Sequence, residues 1–219
     1  MLIRILLVVA VIGLATIFIF GAQDPASRSG VVALVALCVS LVSAFKSHIF
    51  PYRPNYIVDE ILLAAADSTR QDSPAVVLPL LVWNEGVGVG LISGLALKIE
   101  GGGHTRLYTP VAEIDFAKFL SGHKRLHADN TTGTFAPILV PGDGNVRRHI
   151  VFTQELHSEK YPFAGWVAGN YTFSLYAISS VRKEPCEVAS VIHTVTAEQL
   201  AQYAQGTSLS MSSSREIDV

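Results

Sequence analysis

From Ile5 to Ala22 the chain runs eighteen residues without a charged side chain, and from Gly30 to Phe45 it runs sixteen more. Gln23–Ser29, seven residues rich in turn formers, separates the two runs. At roughly 1.5 Å per residue the first run rises about 27 Å, close to the ~30 Å hydrocarbon core of a bilayer. The second is shorter, but Lys46 can snorkel, and Ile49 and Phe50 extend the run before Pro51 stops it. The pair predicts a transmembrane helical hairpin over residues 1–50, with spans at about 5–22 and 30–47 and both chain ends on one side. Two alternatives compete. A cleaved signal peptide would need Phe20-Gly21-Ala22 as its cleavage site, where Phe20 is too large. The second run is also short enough for a buried core helix.

Charge around these runs sets an expected orientation. Arg4, Lys46 and Arg53 flank the hairpin on one side, and Arg28, offset by Asp24, lies in the connecting loop. Lys and Arg concentrate on cytoplasmic flanks, so both termini and the globular domain are expected in the cytoplasm. Beyond residue 45 the chain keeps 14 of its 16 Lys/Arg and 17 of its 18 Asp/Glu. That balance is slightly acidic and argues against nucleic acid, whose phosphates call for a basic face. Two cysteines, Cys38 and Cys186, give neither a disulfide framework nor a zinc motif of the Cys-x-x-Cys kind.

The remainder reads as β-structure. Pro51-Tyr-Arg-Pro54 is a stiff exit, giving an extended linker over 51–55. Residues 56–65 form a first candidate strand, and 75–83 a second whose Pro79 predicts an edge or a bulge. Leu95, Leu97 and Ile99 alternate with Ala96, Lys98 and Glu100, as on a half-buried strand. Further strands are expected at 104–111, 134–140, 148–155, 171–177 and 186–195, with a short helix over 112–120. Thr196 and Gln199 fit a capping box for a last helix ended by Gly206. The serine-rich tail 207–219 is expected to be disordered. Seven or eight short strands over 56–206 favour a β-sandwich over a closed barrel, with one or two short helices.

The order of these features resembles a broad group of bacterial membrane-tethered, immunoglobulin-like β-sandwich domains of unknown function. The residues that carry the resemblance are an apolar strand into Trp83-Asn84-Glu85-Gly86, the strand 91–100, Pro141-Gly142 before Ile150-Val151-Phe152, and Ala168-Gly-Asn-Tyr171 opening a strand. The resemblance implies a fold and an anchoring style, hence a two-span protein of a bacterial inner membrane. It implies no catalytic residues.

Few residues suggest chemistry. His123 and His127 are four apart, the spacing of two ligands on one helix face, and Asp129 or His104 would have to complete a metal site. No glutamate lies between the histidines, and the polar flanks favour a solvated loop, so no metal site is assigned. Asn84–Gly90 contains Gly-x-Gly-x-Gly, but a β-patterned segment follows where a phosphate loop needs a helix, so a turn is expected. Trp166 and Asn170, in Gly165–Asn170, are the candidate binding residues, with Trp166 folded back onto the core as the competing reading. Asn130 and Asn170 open glycosylation triplets that a cytoplasmic domain would not use. No Gly-x-Ser-x-Gly elbow is present, and no catalytic constellation or cofactor site emerges.

The expectation is therefore a membrane-tethered, non-enzymatic interaction module. It would present loops or an edge strand to a protein partner near the lipid bilayer. A membrane-bound metal-dependent hydrolase using His123, His127 and Asp129 is the alternative, and a lipid- or glycan-binding domain a third.

Overall fold

A computed structural model of the chain describes residues 13, 30, 32–33, 35–41, 43, 50–58, 60–64, 75–121, 126, 128–154, 166–204 and 209–212. Among the described residues eleven strands form one antiparallel sheet: β1 (Pro54–Val58), β2 (Glu60–Ala64), β3 (Ala75–Asn84), β4 (Gly90–Gly101), β5 (His104–Ile114), β6 (Thr131–Thr134), β7 (Ile138–Val140), β8 (Asn145–Gln154), β9 (Gly169–Ser179), β10 (Cys186–Val195) and β11 (Leu209–Ser212). Within the described part of the body, two short α-helices, α1 (Phe116–Ser121) and α2 (Ala197–Ala204), accompany them.

The main path of the sheet runs β10-β9-β4-β5-β8-β3-β2-β11. Its shape follows from the β4–β5 hairpin. The two strands pair only near their turn, from Leu97↔Tyr108 to Gly101↔His104, and then diverge. β7 takes the vacated edge of β4 at Gly90–Ile92, and β6 takes that of β5 at Ala112–Ile114. The single sheet thus opens into two facing halves. Inward residues of β4 and β9 (Leu97, Ile99, Phe173, Leu175) share one buried cluster with those of β3 and β8 (Val76, Leu78, Leu80, Val82, Ile150, Phe152). Period-two alternation is what gives each strand one such face.

Three expectations about this region are corrected. The two separate sheets of an immunoglobulin-like sandwich are replaced by one continuous sheet curled into a near-barrel, because β5 pairs with both halves. The linker 51–55 is part of the body: Tyr52 is buried in the main cluster and β1 begins at Pro54. The tail 207–219 is not structureless throughout, since Leu209–Ser212 pair with β2.

Pro79 lies in β3, a central strand between β8 and β1–β2. The edge expected from that proline is therefore corrected; the β1 ladder ends at Val58↔Leu80 and the β2 ladder begins at Leu62↔Val77, so neither includes Pro79. Other local rules held. The capping box forms: Thr196 N donates to Gln199 Oε1 (2.9 Å) and Gln199 N to Thr196 Oγ1 (3.2 Å). The helix expected over 112–120 is shorter, because Ala112–Ile114 continue β5 as far as Asp115. Asp115 Oδ1 then caps α1 by accepting from Ala117 N and Lys118 N. α1 lays Phe119 on the outer face of β3 and β8, against Val77 and Val151. That second buried face explains why 75–83 reads as an unbroken apolar run.

The transmembrane hairpin is also corrected. No helix among the described residues is long and apolar enough to cross a membrane. Most of the expected span 5–22 lies outside the described residues, with Gly13 alone inside. In the span 30–47, residues 30, 32–33, 35–41 and 43 are described, and they are helical. The whole sixteen-residue run would rise only about 24 Å as a helix, short of the ~30 Å core. The two-span placement in an inner membrane and the cytoplasmic orientation argued from its flanks fall with it.

Candidate functional site

One end of the near-barrel is closed by a buried polar knot. Asn84, at the end of β3, is fully buried. Its Oδ1 accepts from Arg53 N (3.0 Å) and Gly86 N (2.9 Å), and its Nδ2 donates to Gly88 O (2.8 Å) and Pro141 O (2.9 Å). Backbone bonds reinforce it: Glu85 N to Arg53 O, Val87 N to Phe50 O, and Asp143 N to Gly86 O. One side chain thus ties together the incoming segment 50–53, the glycine-rich turn and the 141–144 turn. A Cβ on Gly86 would strike the Pro51 carbonyl, and one on Gly142 the Val87 carbonyl. The Gly-x-Gly-x-Gly segment is therefore a turn that admits close backbone approach, and β4 rather than a helix follows it. Beside it Tyr52 and Tyr56 lie close together with hydroxyls that lack a hydrogen bond of standard geometry, and burial pushes both phenols up.

The opposite end holds Trp166. Its ring lies 4.5 Å from that of Tyr171 and 6.2 Å from that of Phe173, half-buried against the main cluster. The guanidinium of Arg106, a residue of β5 with 0% exposure, sits 5.3 Å from the Trp166 ring and 5.7 Å from that of Tyr171. Arg106 also donates to Gly101 O (3.1 Å). The Tyr171 hydroxyl donates to Val167 O and accepts from Val167 N, which fixes the segment carrying Trp166. Trp166 Nε1 is buried without a partner. The aromatic is thus a lid packed on the core and stacked on a cation. Asn170 is exposed, and its Oδ1 accepts from Thr194 Oγ1 (2.7 Å), clipping β9 to β10.

Of the residues considered for a metal site, the two that the structure describes, His104 and Asp129, are not brought together. His123 and His127 lie outside the described residues. His104 begins β5 at the hairpin turn, whereas Asp129 precedes β6, whose Thr131 pairs with Ile114 at the far end of β5. Ten strand residues separate those ends by about 33 Å, so these two cannot share an ion. Among the described residues no group of three or more His, Cys, Asp or Glu could hold a metal.

His149 is the titratable group most distinctively packed. Its ring stacks on Phe116 of α1 (4.4 Å, 2°), and Nε2 has no partner. Burial, then the neighbouring Arg147, holds it below the ordinary 6.5, while Asp115 acts in the opposite sense. The unfolded chain therefore binds this proton more readily than the folded one. Its contribution to stability is complete above about pH 6.5 and is lost as pH falls through the folded value. The urea midpoint is expected to drop between pH 7.5 and 5.5, and His149→Leu should flatten part of that drop. An identical pH dependence in the variant would remove His149 as its source.

The sheet does not close. β10 and β11 are the two ends of its path, and β1 lies beside β10 with no ladder between them among the described residues. Tyr56 of β1 and Val188 and Ala189 of β10 are partly buried against the main cluster. β10 is ten residues long, carries one charge, Glu187, and exposes Ile192. Such an edge is an available template for another strand. No protein-family model matches this chain, and no curated protein is similar to it in sequence.

Proposed function

We propose that this domain is a non-enzymatic interaction module that binds a protein partner by adding an extended segment of that partner to an open edge of its sheet. The observation that carries the reading is the unclosed path, which ends on β10 at one side and β11 at the other. Main-chain groups on such an edge supply the affinity, and alternate side chains supply the specificity. The polar clusters, by contrast, serve the fold: Asn84 is saturated by backbone, and Arg106 is covered by Trp166.

A displayed library of random linear peptides, selected on the full chain, tests this. Selected peptides are expected to slow amide hydrogen exchange in β10 or in β2 and β11. Binders that protect only the turns at 101–104 or 141–144 would replace the edge reading with a loop reading. Failure to enrich any sequence would defeat strand addition altogether.

A further inference from the structure

We propose that the edge of β2 is a peptide-acceptor site, held in this structure by the chain's own C-terminal strand, and that it takes from a protein partner an extended segment in which apolar residues alternate with serine or threonine. This rests on the interaction-module reading and deepens it.

The resident strand shows what the edge accepts. β11 runs antiparallel to β2 in the register Leu209↔Leu63, Ser210↔Leu62, Met211↔Ile61 and Ser212↔Glu60. Its sequence, Leu-Ser-Met-Ser, alternates at the period of a strand with two unlike faces. Ile61, opposite Met211, is buried in the main cluster, so the acceptor strand is anchored in the body of the fold. An apolar strand such as Glu-Ile-Leu-Leu-Ala, left as a bare edge, is an aggregation hazard that proteins cover. The tail performs that covering.

The same strand is built to leave. Among the described residues it makes four register pairs, to one neighbour, whereas β10 makes nine to β9. It follows α2, which has no fully buried residue and touches the main cluster through half-buried Leu200 and Tyr203. Its ladder is reinforced by tethering to α2, which acts like a locally high concentration of ligand. A partner segment of the same alternation competes for the same backbone groups, and displacement of the tail sets its apparent affinity.

A labelled synthetic peptide of residues 207–214 is the probe. It is titrated into the full wild-type chain and into full-length Met211→Pro, in which the tail cannot complete its ladder. Ser210→Pro serves as a second variant, and near-ultraviolet circular dichroism reports that each retains the native core. Saturable binding to the proline variants is expected, with affinity at least about tenfold lower on wild type. A peptide carrying the proline itself should not bind, and bound peptide should protect the amides of 60–64. Absence of saturable binding to both variants, or equal affinity for variant and wild type, overturns the proposal. Protection at β10 instead would also overturn it, while leaving the interaction-module reading intact.

Discussion

Asn84→Ala should lower the free energy of unfolding by about 3–5 kcal/mol, a large part of the 5–15 kcal/mol typical of a domain. The substitution removes two acceptor bonds and two donor bonds at once. It strands the amides of Arg53 and Gly86 and the carbonyls of Gly88 and Pro141 in a site that water does not reach easily. Each stranded group costs about 1–3 kcal/mol, less whatever local opening recovers. Asn84→Asp separates the donor half from the acceptor half. It keeps an oxygen for the two amides but turns a second oxygen toward two carbonyls. It should be as damaging as alanine at pH 7 and partly recover near pH 4, where the protonated acid regains one donor. Urea titrations of the three chains at the two pH values measure this. A loss within about 0.5 kcal/mol for Asn84→Ala would place the site among ordinary surface positions.

The architecture was legible where a local rule was sufficient. Alternation at Leu95–Glu100 and at Tyr171–Ala177 located β4 and β9, and the Thr196/Gln199 pair located the start of α2. Pro79 suggested an edge, whereas β3 is central. What failed depended on partners distant in sequence. That β4 and β5 diverge, with β6 and β7 filling the gap, turns two expected sheets into one, and no period within a strand encodes it. β11 escaped notice because a serine-rich tail has little to bury alone and acquires order from β2. The apolar runs at the N-terminus satisfied a hydropathy argument by length only marginally, and no helix among the described residues is long and apolar enough to cross a membrane. For the candidate sites, Trp166 was visible as a large aromatic among small residues, but Arg106 was not. In His104–Tyr108 the apolar Leu107 suggests the opposite inward parity, and a charged residue is seldom expected inside a barrel. Asn84 was visible only as part of a turn sequence, since its four partners lie as far as 57 residues away.

Arg106→Ala should destabilise the protein by about 3 kcal/mol, and Arg106→Lys by a smaller amount. The guanidinium is a planar group beside the Trp166 and Tyr171 rings, and it satisfies the Gly101 carbonyl at the β4–β5 turn. Alanine leaves a void beneath Trp166, an acceptor without its donor, and two rings without their cation. Lysine keeps the charge and much of the stem but loses the flat stacking surface and the fork of donors. The structure also supplies an optical readout. Trp83 is 52% exposed and Trp166 is half-buried, so the two tryptophans report different surroundings. In a Trp83→Phe background, emission comes from Trp166 alone. Native Arg106→Ala should then emit to the red of its parent, because the lid no longer has a filled floor, while Tyr171 still holds Val167 through its hydroxyl. Tyr171→Phe in the same background removes those two bonds instead and should loosen the lid with Arg106 in place. A blue-shifted or unchanged emission in Arg106→Ala, together with unchanged stability, would mean that Trp166 packs independently of the arginine. The buried cation would then owe its position to groups other than the aromatic pair.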